Sequence, residues 1–457
     1  MVDTEEVVER IPLENPFKNR LRRLFSASQI YECIQPLMFL LYCHGLSPFY
    51  IANDNKGRKE LKESIWGYIN VGAHILVYAS CYILTLMNDH ETVAGHFFHT
   101  DISLFGDFMQ ILSGFLGVTV IYLSAILPKQ YVQNSLSIIQ YIDNELRELG
   151  VRIRYSKILR LNYVFLTSMI FANLCYSAGC IFILRSGDRT PSFSLHVTFV
   201  LQHTVVLYVV TVFACFTRML DMRFHMMQKV LKNLSHQWDT RSIKAITQKQ
   251  RSLQCLDSFS MYTIVSKNPS EIIQESMEIH QLICEAASTA NKYFTYQLLT
   301  IISIAFLIIV FDAYYVLETL LGKSKRESKF KTVEFVTFFS CQMILYLIAI
   351  ISIVEGSNRA IKKSEKTGGI VHALLNKAKT PEVKEKLQQF SMQLLHLKIS
   401  FTAAGLFNID RTLYFTISGA LTTYLIILLQ FTSSSPPALE GACTPGNSTN
   451  IANLTQH

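Results

Sequence analysis

Charge is scarce in this chain. Of 457 residues only 17% are Asp, Glu, Lys or Arg, against 50% hydrophobic, and mean hydropathy is positive at +0.27. Length alone would allow two or three soluble domains, but so little charge argues against them and suits a polytopic membrane protein. An apolar core near the N-terminus is missing too. Residues 1–16 are mixed and acidic, so no cleavable signal peptide is expected and an internal span must direct the chain to a membrane. The ten cysteines include no CxxC pair, and no His/Cys cluster has zinc spacing. Cys81, Cys175, Cys180, Cys215 and Cys341 fall inside hydrophobic stretches, where cysteine acts as a small apolar residue. Cys443 stands in a segment expected outside, with no obvious partner. No nucleophile and base converge, which argues against an enzyme; no cofactor, metal or nucleic-acid partner is implied. No internal repeat and no paired broken helices point to an inverted-repeat transporter.

What the chain has is long apolar stretches: 65–87, 102–127, 159–184, 194–220, 293–317, 332–354 and 409–431, each near the ~20 residues needed to cross a bilayer. The expectation is therefore an all-α protein with seven transmembrane helices. Lysine and arginine set its orientation. With the N-terminus inside, segments 1–64, 128–158, 221–292 and 355–408 hold 9, 5, 9 and 9 of them, 32 in all. The outer segments 88–101, 185–193, 318–331 and 432–457 hold 0, 2, 5 and 0, or 7. That imbalance favours a cytoplasmic N-terminus and an extracellular C-terminus; the basic outer loop 323–331 is its exception. Asn447-Ser-Thr and Asn453-Leu-Thr are glycosylation sequons, usable only on the extracytoplasmic side. A seven-span G-protein-coupled receptor would have the opposite orientation.

The apolar run 27–50 is broken by Glu32, Gln35 and His44, and basic clusters flank it on both sides. It is expected to enter or lie along the membrane from the cytoplasmic side without crossing. Two inner segments carry helical apolar spacing. Ile272, Ile273, Ser276, Ile279, His280, Ile283 and Ala287 run into the fifth span. Leu374, Leu375, Val383, Leu387, Phe390, Leu394 and Leu397 form a second pattern, with Thr380-Pro381 opening a helix. Such helices pack as a cytoplasmic anchor bundle or lie on the membrane surface. The resulting layout is 1–64 cytoplasmic, 65–220 a four-span bundle, 221–292 a loop and anchor helix, 293–354 two spans, 355–408 anchor helices, 409–431 the seventh span and 432–457 an outer tail.

That seventh span is not uniformly apolar. Thr416, Thr423 and Gln430 recur every seven residues with Gly419 between the first two, so at about 100° per residue they share one stripe. Leu421, Leu425, Leu428 and Leu429 lie opposite. A polar stripe either packs against another helix or borders water.

The end of this span, Thr423-Tyr424-Leu-Ile-Ile-Leu-Leu-Gln430-Phe431, resembles the TYhhhhhQF signature of insect gustatory receptors, and residues 401–410 resemble that family's entry to the span. Leu425 stands where the glucose and disaccharide branch carries an acid, so the chain looks most like the fructose-receptor branch; a bitter or orphan receptor is the alternative. The resemblance implies a ligand-gated cation channel in the plasma membrane of chemosensory neurons, built as a homotetramer like the insect odorant receptors. Four copies of the seventh span would line the pore, with Gln430 and Phe431 near the outer gate, Ile427 and Thr423 below and Thr416 deeper. A small-molecule sugar would bind in the outer half of each bundle, where polar groups must meet hydroxyls beside aromatic faces. The candidates there are Gln110, Asn173, Tyr176, His196, Asp312, Tyr315 and Gln342, with Asp107, Gln202, His203, Tyr314, Glu318 and Glu334 in reserve. Asp312 is the sharpest, because an acid inside a membrane is costly, although an interhelical hydrogen bond or ion pair would also explain it.

Overall fold

The computed structural model describes residues 25–53, 57, 59–87, 101–186, 192–241, 267–321 and 329–434. In chain order these form α1 (Ile30–Cys43), β1 (Phe49–Asn53), β2 (Lys59–Glu63), α2 (Ile65–Met87), α3 (Asp101–Ile126), α4 (Lys129–Glu148), α5 (Tyr155–Ser186), α6 (Phe193–Arg241), α7 (Pro269–Leu320), α8 (Lys329–Lys377), α9 (Pro381–His396), β3 (Thr402–Ala403), β4 (Phe407–Asn408) and α10 (Thr412–Ser434). Seven of them (α2, α3, α5, α6, α7, α8 and α10) are long and apolar enough to cross a membrane, and they fall on the seven stretches read from the sequence. The sequons, Cys443 and most of loop 323–331 lie outside the described residues.

Three of the spans do not stop at the bilayer. At ~1.5 Å per residue, the 52 residues of α7 run about 78 Å, more than twice the ~30 Å hydrocarbon core. The 49-residue helices α6 and α8 also overshoot. The reason is in the pattern: Ile272, Ile273, Ser276, Ile279, His280, Ile283 and Ala287 are all buried, so the amphipathic stripe continues the span's own helix without a break. Asn268 caps its start, accepting a hydrogen bond from the Ser270 amide at 3.2 Å, with Pro269 in the first turn. The core runs along α7, which touches α3, α4, α6, α8, α9 and α10. It is this helix around which the fold is built.

The second amphipathic pattern is two helices. Leu374 closes the buried face of α8, and Val383, Leu387 and Phe390 form that of α9, with Thr380 and Pro381 making the break. Segment 128–158, placed inside by the charge count, contains α4, which lays Leu136, Ile139, Ile142 and Leu146 on α7. Its spacing was legible, but charged residues on its other face hid it from a search for apolar runs.

The 14-residue α1 is too short to span, and it backs onto α5. Gly45 ends it at φ +67°, where an added Cβ would strike His74, so only glycine serves. The antiparallel hairpin β1–β2 follows, pairing Phe49 with Glu63 through Asn53 with Lys59, an element the alternation of the sequence did not announce. Lys129 holds Glu63 at 2.6 Å, and that bond, with one from Tyr68, keeps the carboxyl below its usual range.

Candidate functional site

Two arrangements stand out, one on α10 and one inside the bundle. Residues 401–410 fold as a small hairpin, β3–β4, clamped to α7. Asn291 and Thr295 exchange hydrogen bonds with Thr402 and with the amide of Ala404. Its turn needs two positive φ angles, Ala404 at 50° and Gly405 at 73°. Asp410 then caps α10 through the Thr412 amide at 2.8 Å, and Arg411 grips Glu355 of α8 with two bonds of 2.9 and 3.0 Å. The entry to α10 is thus tied to both α7 and α8.

Beyond that entry α10 is bare. Only 6% of its spanning window is buried, against 61% for α7 and 67% for α6. The side turned to the bundle carries Tyr414, Ile417, Leu421, Leu425, Leu428 and Leu429. Thr416, Gly419, Thr423, Ile427, Gln430 and Phe431 are exposed, and so is Tyr424, whose ring meets Phe306 edge-on. The polar stripe therefore points away from the chain's own core.

The second arrangement lies in the half of the bundle remote from the helix extensions. Asp312 of α7 is 0% exposed, and neither carboxylate oxygen has a hydrogen bond of normal geometry; nor has the amide nitrogen of Gln110, which reaches toward it from α3. Beside them His203 of α6 stacks on Tyr176 of α5 at 3.7 Å between ring centres and meets the Tyr346 hydroxyl at 3.4 Å. His203 Nε2 is buried without a hydrogen bond, and the Tyr176 hydroxyl has only the Cys180 thiol beside it. Gln342, one turn before Tyr346 on α8, is buried, and so are Tyr314 and Tyr315, whose rings touch each other and Phe339. Glycines bring the helices this close. A Cβ at Gly106 would collide with the Tyr315 hydroxyl, and one at Gly114 with the Gln202 amide.

Other candidates sit apart. Asn173 exchanges hydrogen bonds with Thr204, and His196 lies 3.3 Å from Ser177, each pair joining α5 to α6. Glu318 is buried at the end of α7, and Glu334 is half-buried on α8. The side chain of Asp107 lies outside the described residues. Tyr346 was missed in sequence; its spacing of four from Gln342 was the available signal. Unpaired polar groups in a dry interior gain most from a ligand that completes their hydrogen bonds, because each costs free energy while unmet.

A family profile described as 7tm Chemosensory receptor matches residues 34–435. The Drosophila melanogaster candidate gustatory receptor 28b is 66% identical over 435 residues, covering 95% of this chain and 93% of its own. The chain is a member of the insect gustatory receptor family. Candidate gustatory receptor 28a of the same fly is 35% identical over 90% of this receptor and 93% of its own length. Among solved structures, the insect olfactory receptor OR5 from Machilis hrabei matches with a TM-score of 0.57 at 12% identity, over 87% of this receptor and 97% of that chain. It shares the fold. The family is one of receptors, not enzymes. The fructose-receptor branch expected from the sequence finds no support: the fly's sugar-taste receptor 43a matches at 27% over 36% of this receptor, no better than its bitter-taste receptor 66a at 26% over 40%. Leu425 was too thin a marker, since it excludes one branch without selecting another.

Proposed function

We propose that this receptor is the subunit of a ligand-gated, non-selective cation channel: four copies surround a conduit lined by α10, and a small molecule held in the buried cluster around Asp312 opens it. The observation that carries the reading is the bareness of α10. α10 half-buries its leucines on its own chain and exposes the face that carries Thr416, Thr423 and Gln430, and an exposed polar stripe on a spanning helix fits a surface that borders water or another polar helix. Three further copies of the same stripe around water supply such surroundings. Gln430 and Phe431 then form the outer constriction, with Ile427 and Thr423 below. The lysine and arginine asymmetry supports α6, α7 and α8 extending into the cytoplasm and the tail with Asn447 and Asn453 outside, and membership of the gustatory receptor family supports the plasma membrane of a chemosensory neuron as its place.

Binding drives opening only through a difference in affinity between closed and open states. A tenfold preference supplies about 1.4 kcal/mol per site, and four sites multiply it. One helix links the two: Asp312 sits on α7, and about 26 Å along it, at ~1.5 Å per residue, the same helix carries the Asn291 and Thr295 clamp on the hairpin that leads into α10. The test is recording from cells expressing this chain alone while sugars, fructose included, and bitter compounds are applied. Ligand-evoked cation currents whose conductance or selectivity changes with Gln430→Ala support the reading; currents untouched by that change remove α10 from the pore.

A further inference from the structure

We propose that the cluster is loaded sideways, from the bilayer, through a cleft between α5 and α8, and that its ligand is a small apolar molecule with an aromatic body and one hydrogen-bonding end. This rests on the reading of the cluster as the ligand site, but not on the chain conducting ions. The cleft has a volume of about 580 Å³, within the range that holds a small organic ligand. Its walls are mostly apolar: Phe171, Tyr176 and Phe182 on α5 face Phe338, Ile344 and Leu345 on α8, with Glu334 and Thr337 the polar exceptions on α8. Phe171 and Phe182 are largely exposed, so the mouth opens where acyl chains lie. Gly179 keeps the α5 wall low; a Cβ there would come no nearer than 3.9 Å to Phe338.

Tyr176 belongs to both the cleft and the cluster. It lines the cleft, with Phe338 at 6.0 Å between ring centres, while its other neighbour is His203 at 3.7 Å. Its hydroxyl is buried beside Cys180, and behind it lie His203 Nε2, which has no hydrogen bond, and the Gln110 amide with Asp312, whose contact lacks normal hydrogen-bond geometry. One ring therefore partitions an apolar vestibule from a set of unmet polar groups. A rotamer change of that ring would join the two. The chemistry of the route selects the cargo. A polyol would leave most of its hydroxyls unpaired in this vestibule, each at a cost. An aromatic molecule is concentrated by the bilayer, stacks on Phe338 and Tyr176, and needs only one polar end to reach the cluster.

The test uses the full chain in lipid nanodiscs with hydroxybenzophenone, a photoreactive molecule of the stated shape. Adducts mapped by mass spectrometry are expected on α5 and α8 around the cleft. They should be lost in Gly179→Trp, which fills it, and retained in Gly72→Trp, where the bulk enters open space on α2. Adducts elsewhere, none at all, or labelling unchanged by Gly179→Trp would overturn the proposal. Should that variant misfold, the native thiols decide: Cys175 and Cys341 are both exposed, one on each wall. A membrane-dissolved octyl methanethiosulfonate should modify them faster than its water-confined trimethylammonium analogue; the reverse order sinks the lateral route. Cleft adducts in a protein that passes no ligand-evoked current would uphold this inference and count against the channel alone.

Discussion

Asp312 is a carboxyl group at 0% exposure without a hydrogen bond of normal geometry, an arrangement that costs free energy while its polar atoms are unmet. Asp312→Asn, which cannot ionise and keeps the shape, should raise the thermal stability of the purified receptor by about 1–3 kcal/mol. The same change should move the ligand dose–response. A stabilised variant with an unaltered response would make the acid a packing residue. The ion pair of Arg223 with Asp143 is the opposite case. Two bonds of 3.0 and 2.8 Å join α6 to α4, and the Tyr155 hydroxyl donates to the same carboxylate at 2.9 Å, all out of solvent. Removing one partner leaves a buried charge, so Arg223→Ala or Asp143→Ala should each cost about 3–5 kcal/mol, whereas replacing both with apolar residues should cost far less. Thermal unfolding of the three variants checks this.

At the scale of elements, the hairpin β3–β4 and the Arg411–Glu355 pair decide how α10 follows the rest of the bundle. Gly405→Ala would place a Cβ at φ +73° and should cost about 1 kcal/mol, with the effect appearing as altered gating before any loss of folded protein. Arg411 is more than half exposed, so its pair adds little stability. Its value is geometric. Arg411→Glu should shift the ligand concentration for half-maximal current, and adding Glu355→Arg should restore it. If the double change fails to restore, the pair does not couple α8 to α10.

For the whole molecule, the bare face of α10 and the sidedness of the chain are the matters to measure. Thr423→Cys in native membranes should form a disulfide between copies on mild oxidation if the stripes face one another around an axis, and none if they face lipid. Asn447→Gln and Asn453→Gln should each remove a glycosidase-sensitive mass shift; a tail untouched by glycosidase in both forms would reverse the proposed orientation.

The number of spans, their positions and the stripe on α10 were all written in the linear pattern. An apolar run of about twenty residues has no stable home outside a bilayer, and heptad spacing fixes a helix face whatever surrounds it. The buried faces of Ile272 to Ala287 and of Val383 to Phe390 were legible for the same reason. What the chain could not show by itself was everything that depends on which helices meet. That α7 is the hub, that α4 is a helix packed upon it, that Asn173 turns to Thr204 while Tyr346 turns to His203, and that Tyr176 stands between a cleft and a buried acid follow from helix rotations and close approaches, such as those of α3 to α7 at Gly106 and to α6 at Gly114. Periodicity says which side of a helix is polar; only packing says what that side confronts.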